Sequence, residues 1–191
     1  MVGKVNREDR AFQGISGHRA LDLLATLRDR YREPTECLRV PADLDRWLAA
    51  AELPPDTAAT QGDLDGARRL RELVYGLVRA NLDGKPLSNA ELQELNEWAR
   101  GQALAPQITP TFERWWVGSV DTALTAIARG AIDLLATPER PLIRECSAAP
   151  ECSRIYIDRS PGRRRRWCQM ETCGSSAKMR AYRRRQAGAA I

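Results

Sequence analysis

The chain has 191 residues, of which 43% are hydrophobic and 29% charged, with a formal net charge of +5. This composition excludes a disordered or collagen-like chain, and no run reaches the ~18 uninterrupted apolar residues of a membrane span. The charge is divided: residues 138–191 hold 13 Lys/Arg against 5 Asp/Glu, while residues 1–137 hold 17 against 20.

The first segment, Met1–Arg10, lacks the apolar core of a secretory signal, so a cytoplasmic protein with no membrane partner is expected. Residues 19–31 read as a helix, with Leu21, Leu24, Leu27 and Tyr31 on one stripe. His18, the single histidine, lies just ahead of it and reads as a satisfied or surface side chain rather than a ligand. Glu36 to Val40 reads as extended, and Cys37 there as a small hydrophobe. A second helix opens at Pro41, a residue suited to the first helical position, and presents Leu44, Trp47, Leu48 and Ala51 on one face. Leu53-Pro54-Pro55 ends it.

The longest periodic segment is 63–82, where Ala67, Leu70, Leu73, Val74, Leu77 and Val78 form a wide apolar stripe with Arg68, Arg69, Arg71 and Glu72 off it or at its edge. Asp83-Gly84-Lys85-Pro86 stops that helix. Ser88 with Glu91 is a capping-box signature for a fourth helix that buries Leu92 and Leu95. Residues 103–117, with Pro106, Pro110 and the β-prone run Phe112–Val117, predict a short hairpin or an extended excursion. A last body helix is expected from Val120 to Ala136, with Gly130 allowing a close crossing. Trp47, Trp98, Trp115 and Trp116 are expected to fill the core. The run Thr137-Pro138-Glu139-Arg140-Pro141 breaks the helix and reads as a hinge. The expected fold is therefore mainly α: a helical domain with a small β-hairpin over 1–137, and a compact module over 138–191.

That module carries Cys146 and Cys152, then Cys168 and Cys173. Two close cysteine pairs at short separation supply four soft donors for a tetrahedral zinc ion about 2.3 Å from each sulfur, and four thiolates close the shell that a catalytic zinc keeps open. A structural zinc follows; an iron–sulfur centre uses the same donors and is the lesser reading. Between the pairs, Arg154–Ile157 and Arg164–Trp167 flank Arg159-Ser160-Pro161-Gly162, which predicts a hairpin with a Pro-Gly turn. After Gly174, Ser175 or Ser176 reads as the cap of a C-terminal helix. Paired ligands, hairpin and helix describe a treble-clef-like zinc finger, whose metal would supply much of its folding energy.

Arg163, Arg164, Arg165 and Arg166 precede the second pair, and Lys178, Arg180, Arg183, Arg184 and Arg185 lie on the expected helix. Basic groups clustered on a zinc finger point to nucleic acid, bound through phosphate and weakened by salt.

These residues resemble a known family. Arg144-Glu145-Cys146, Cys152, Tyr156–Ser160, Arg164–Gly174 and Ala177-Lys178 are similar to the CGNR zinc finger. Arg19–Leu27, Leu44–Leu48, Ala67–Glu72 and Leu92–Asn96 resemble the ABATE domain that usually precedes it. The resemblance implies a stress-linked transcription regulator whose finger meets DNA and whose helical domain senses a small-molecule effector or assembles. The chain departs from the pattern at three places. Ser175-Ser176 replaces the name-giving Asn-Arg, five residues instead of four separate Cys146 from Cys152, and Ala25 stands for the usual asparagine beside Asp22 and Thr26. The alternative, favoured by Ser175-Ser176, is a zinc-scaffolded RNA-associated or protein-interaction module. With no nucleophile–base pair or phosphate loop of recognisable spacing, an enzyme is not expected.

Overall fold

The computed structural model describes residues 12–188, so the segment Met1–Arg10 read above for a signal lies outside the described residues. The helices are α1 (Arg19–Leu24), α2 (Pro41–Ala50), α3 (Gln61–Leu82), α4 (Asn89–Arg100), α5 (Val120–Ala136) and α6 (Ser175–Gly188). Three antiparallel ribbons complete the described chain: β1 (Leu27–Arg28) with β2 (Thr35–Glu36), β3 (Ala105–Ile108) with β4 (Arg114–Val117), and β5 (Ile143–Glu145) with β6 (Ile155–Ile157). Among the described residues no helix is long and apolar enough to cross a membrane.

The predicted apolar stripes become the core. α3 packs against α1, α2, α4 and α5 and buries Ala67, Leu70, Leu73, Val74, Leu77 and Val78. Its start is a reciprocal cap: Thr60 Oγ1 accepts from the Asp63 N–H, and the Asp63 carboxylate accepts from the Thr60 N–H at 2.8 Å. Ser119 likewise caps α5 through the Thr122 N–H. In α2, Trp47 and Leu48 are buried, while Asp43 accepts from the N–H groups of Arg39 and Val40 at 2.8 and 3.2 Å. Gly130 of α5 makes its close approach to a side chain and not to a helix: a Cβ there would stand 3.2 Å from the ring of His18. His18 is the cap of α1, its Nδ1 accepting from the Ala20 N–H at 3.2 Å.

Three expectations are corrected. The helix over 19–31 stops at Leu24. Thr26 turns its hydroxyl back to the Leu23 carbonyl at 2.7 Å, Asp29 takes a positive φ of 54°, and Leu27–Arg28 pairs with Thr35–Glu36. Hydroxyl back-bonding competes with the helical ladder, and here the strand partner decides. Trp115 does not fill the core. It is 48% exposed on a hairpin whose other strand, β3, is exposed throughout, whereas Trp47 is buried and Trp98 and Trp116 pack partly against the core.

The third correction concerns the finger's hairpin. β6 pairs with β5, in the register Ile143↔Ile157 and Glu145↔Ile155, and not with residues 164–167. Pro161–Arg163 forms a tight turn in which Gly162 and Arg163 both have positive φ, 72° and 53°, and Arg164 follows at φ −107°, ψ 3°. With ψ near 0° Arg164 lies outside the extended region, so the segment does not continue as a strand there. The observed pairing also buries Ile143, Ile155 and Ile157 in the same core as α1 and α3. The zinc-finger module thus keeps the expected composition of ribbon plus C-terminal helix, with the Cys146–Cys152 loop inside the ribbon's connection. In the segment read as a hinge, Glu139 takes a two-pronged pair from Arg159 at 2.7 and 2.8 Å, and just beyond it the Asp158 N–H donates to the Leu142 carbonyl at 2.9 Å.

Candidate metal centre

β5 delivers Cys146 directly, its N–H bonded to the Arg154 carbonyl at 3.0 Å. The chain then turns through Ala149 N–H to Cys146 O (3.1 Å) and Cys152 N–H to Ala148 O (3.2 Å), with a cis Ala149–Pro150 bond between them. The second pair stands at the mouth of α6. The Cys168 N–H points at Cys146 Sγ at 3.5 Å, and a wide helical turn, Met170–Gly174, carries Cys173. Gly174 packs closely there: a Cβ would displace the exposed Met170 side chain and stand 3.2 Å from Trp167 Cδ1.

All four sulfurs lie within 4.8 Å of one another, and among the described residues no other group of His, Cys, Asp and Glu is so arranged. Cys152–Cys168 and Cys168–Cys173 are separated by 3.7 and 3.6 Å. A tetrahedral zinc with sulfurs at 2.3 Å requires an edge of about 3.8 Å, so both donor set and spacing fit. Without a cation such crowding splits the ionisation of the thiols. Hydrogen bonds among them, Cys152 first, hold Cys146 down, while those involving Cys146 push Cys152 and Cys168 up. A dication removes the conflict by binding four thiolates. The zinc is structural: four cysteines fill its coordination shell and none is left for water.

A small core supports these ligands. Tyr156, fully buried, packs with Cys146, Ala148 and Cys168 and donates its hydroxyl to the Arg165 carbonyl at 2.7 Å. The Arg165 guanidinium lies 4.5 Å from the Tyr156 ring centre, donates to Trp167 O at 2.9 Å, and also reaches Cys168 O. Arg165 is therefore engaged within the fold. Asp158 organises the arginine run: its carboxylate accepts from Ser160 N and Oγ at 3.0 and 2.6 Å and from Arg165 N at 3.1 Å. Burial opposes its ionisation, but these hydrogen bonds outweigh burial and hold the carboxyl below its ordinary value. Sequence reasoning gave Tyr156 and Asp158 no role; their signal was a Tyr-x-Asp step beside the ligands.

The other basic residues face solvent. Arg163, Arg164 and Arg166 are exposed, with Arg166 over the Trp167 ring at 5.1 Å. Lys178, Arg180, Arg183, Arg184 and Arg185 are exposed along α6. Ser175, at the departure from Asn-Arg, donates its hydroxyl to the Met170 carbonyl at 3.1 Å, and Ser176 is exposed.

The body grips both sides of the first cysteine pair. Glu145 accepts from Tyr31 and from Arg79, the latter at 3.0 Å, and Ser153 Oγ accepts from the Arg30 N–H at 3.3 Å. Arg30 in turn forks onto Glu72 at 2.7 and 3.1 Å and stacks on Tyr75. Buried Arg71 bonds both oxygens of Glu36 at 2.7 Å and also Glu72 and Thr26. Asp22 lies 3.9 Å from Arg154 of the finger and accepts from the Ser16 N–H at 3.0 Å; burial raises its carboxyl above the ordinary value. The matched motif residues Asp22 and Thr26 thus hold structure together. A cleft of about 160 Å³ runs between the two halves, bounded by Gln13, Arg28 and Asp29 on one side and Cys152, Cys168 and Cys173 on the other. Typical small-molecule sites are larger, roughly 300–1,000 Å³.

Comparison with protein families matches residues 17–138 to ABATE, described as "putative stress-induced transcription regulator", and residues 143–186 to the CGNR zinc finger. No curated protein matches the chain.

Proposed function

The chain belongs to the ABATE family and carries a CGNR zinc finger, and from that premise we propose that it is a cytoplasmic DNA-binding transcription regulator serving a stress response. The finger, 138–191, binds DNA, and the body, 1–137, senses a small-molecule effector or assembles with a partner. The zinc is a fastening with no catalytic part, in keeping with family descriptions that name regulation and a zinc finger and no reaction.

One observation carries this reading. Of the nine basic residues singled out in the finger, all but Arg165 are exposed, on two elements fixed next to one metal: the turn at 163–166 and α6. An array of that kind can neutralise several phosphates at once and release their counterions. Body contacts to Glu145, Ser153 and Arg154 support a route by which events in the helical domain reach the finger.

Retention of duplex DNA by the full chain, titrated with salt, tests the proposal. With six or more phosphates engaged, affinity falls about a thousandfold between 50 and 200 mM salt. Binding that ignores salt, or a clear preference for structured RNA over duplex DNA, overturns it in favour of the zinc-scaffolded interaction module.

A further inference from the structure

α6 is an unusual helix for a folded protein. It holds no Asp or Glu over Ser175–Gly188, and its substantial packing is against the Met170–Gly174 turn alone. Over 177–186 only Ala177 and Ala181, one turn apart, are half-buried; every other side chain is exposed. Fourteen residues make a helix of marginal stability in water when so little of it is packed.

At 100° per residue, its outward faces are fixed by Ala177 and Ala181. The line opposite them runs Met179, Arg183, Gln186, with Tyr182 beside it; Met179 and Tyr182 are 53% and 54% exposed. Lys178 and Arg185 flank that line on one side and Arg180 on the other, while Arg184, seven residues after Ala177, lies on the alanine side. A row offering hydrogen bonds and apolar contact therefore has cations on both of its flanks. The major groove has the complementary layout, base edges on the floor and phosphates along both walls, and its ~12 Å width admits one helix.

We propose that α6 enters the major groove of duplex DNA with Met179, Arg183 and Gln186 on the base edges, Lys178 and Arg185 on one phosphate wall and Arg180 on the other. The inference rests on the DNA-binding reading above and assigns its sequence-reading residues. Arg183 suits the paired acceptors O6 and N7 of guanine, Gln186 the N6 and N7 of adenine, and Met179 the methyl group of thymine. Ser176 stands one turn before Met179 on the same side, so the Arg of the Asn-Arg pattern would have joined this row. A-form RNA has a major groove too narrow for such a helix, and two apolar side chains are too few to seat it on a membrane.

The test uses the full zinc-loaded chain and selection from a pool of random DNA duplexes, followed by interference mapping at guanine N7. The wild-type chain is expected to select a defined sequence and to lose binding when N7 is methylated. Arg183→Lys and Gln186→Ala keep zinc and helicity; each should lower discrimination at one base pair by about tenfold or more. Neither should change the slope of log K against log salt. Lys178→Gln and Arg185→Gln should weaken all duplexes alike and reduce that slope by about 0.9 each. Salt-sensitive duplex binding without sequence preference, indifferent to N7 methylation or unchanged by Arg183→Lys and Gln186→Ala, overturns this inference and leaves the DNA-binding reading standing. Absence of duplex binding overturns both.

Discussion

The hydroxyl of Tyr31, in the body, donates to the carboxylate of Glu145, the residue immediately before the first zinc cysteine. Arg79 holds the same carboxylate from α3 at 3.0 Å. Tyr31→Phe removes one of two body contacts to Glu145 and should cost about 1 kcal/mol, a fall of about 2–4 °C in Tm for a chain of this size. Zinc content should stay at one per chain. Calorimetry with metal analysis on the same samples checks both.

Cys168 lies 3.7 and 3.6 Å from two of its fellow sulfurs, and Cys37 belongs elsewhere in the molecule. Cys168→Ser should abolish stoichiometric zinc, while Cys37→Ser should leave it intact. Structural zinc contributes about 10–16 kcal/mol of apparent binding energy in small fingers, so chelation should melt the finger at temperatures where holoprotein is folded. Elemental analysis and thermal melts with and without chelator decide it.

The arginine run divides into two kinds of residue. Arg165→Ala deletes the contact over Tyr156 and the bonds to Trp167 and Cys168 carbonyls, and should destabilise the protein by about 1–3 kcal/mol. Arg164→Ala, at an exposed side chain, should change stability by less than about 0.5 kcal/mol and instead weaken duplex binding. Denaturant unfolding alongside DNA titration separates the effects; equal destabilisation by both would contradict the assignment.

The Arg71–Glu36 pair makes stability depend on pH. Burial works against the Glu36 carboxylate, but Arg71 and the Leu38 N–H more than offset it and hold the group below its ordinary 4.5. A depressed carboxyl stabilises the fold above 4.5 and loses that contribution as pH falls through the lower folded value. Glu72, held by Arg30 and Arg71, follows the same sign. Glu36→Gln should therefore cost about 1–3 kcal/mol near neutrality, with the gap to wild type narrowing in acid. Thiolate protonation is common to both proteins and cancels in the comparison of their unfolding curves.

Local signals were legible and distant partners were not. α5 runs over Val120–Ala136 as expected because its cap, its apolar period and the following Pro138 all lie within one stretch of chain. The cysteine pairs were legible for the same reason, and the structure gathers the four sulfurs within 4.8 Å. The stripe ending at Tyr31 misled, since what breaks that helix is a strand partner at Thr35–Glu36 together with the turned-back Thr26 hydroxyl. The finger's ribbon misled similarly: Arg164–Trp167 lies next to a Pro-Gly turn, but it is Ile143 of β5 that pairs with Ile157 and joins it in the core. Arg71 gave no sign of burial either, because its partner Glu36 is thirty-five positions away.

Main-chain bonding at Ser16 ties the start of the described chain to β6, its carbonyl accepting from the Ile157 N–H at 2.9 Å, and Ile157 sits in the body's core. On a ribosome the chain emerges from its N-terminus, so the helices of the body are made well before the strand that completes their packing. Until Ile143, Ile155 and Ile157 are synthesised, the nascent body presents an open apolar seam. The zinc cysteines bracket that late strand, Cys146 ahead of it and Cys168 behind. Maturation of the helical half thus waits until translation has passed Ile157, and a message truncated before that residue yields a product with that seam uncovered.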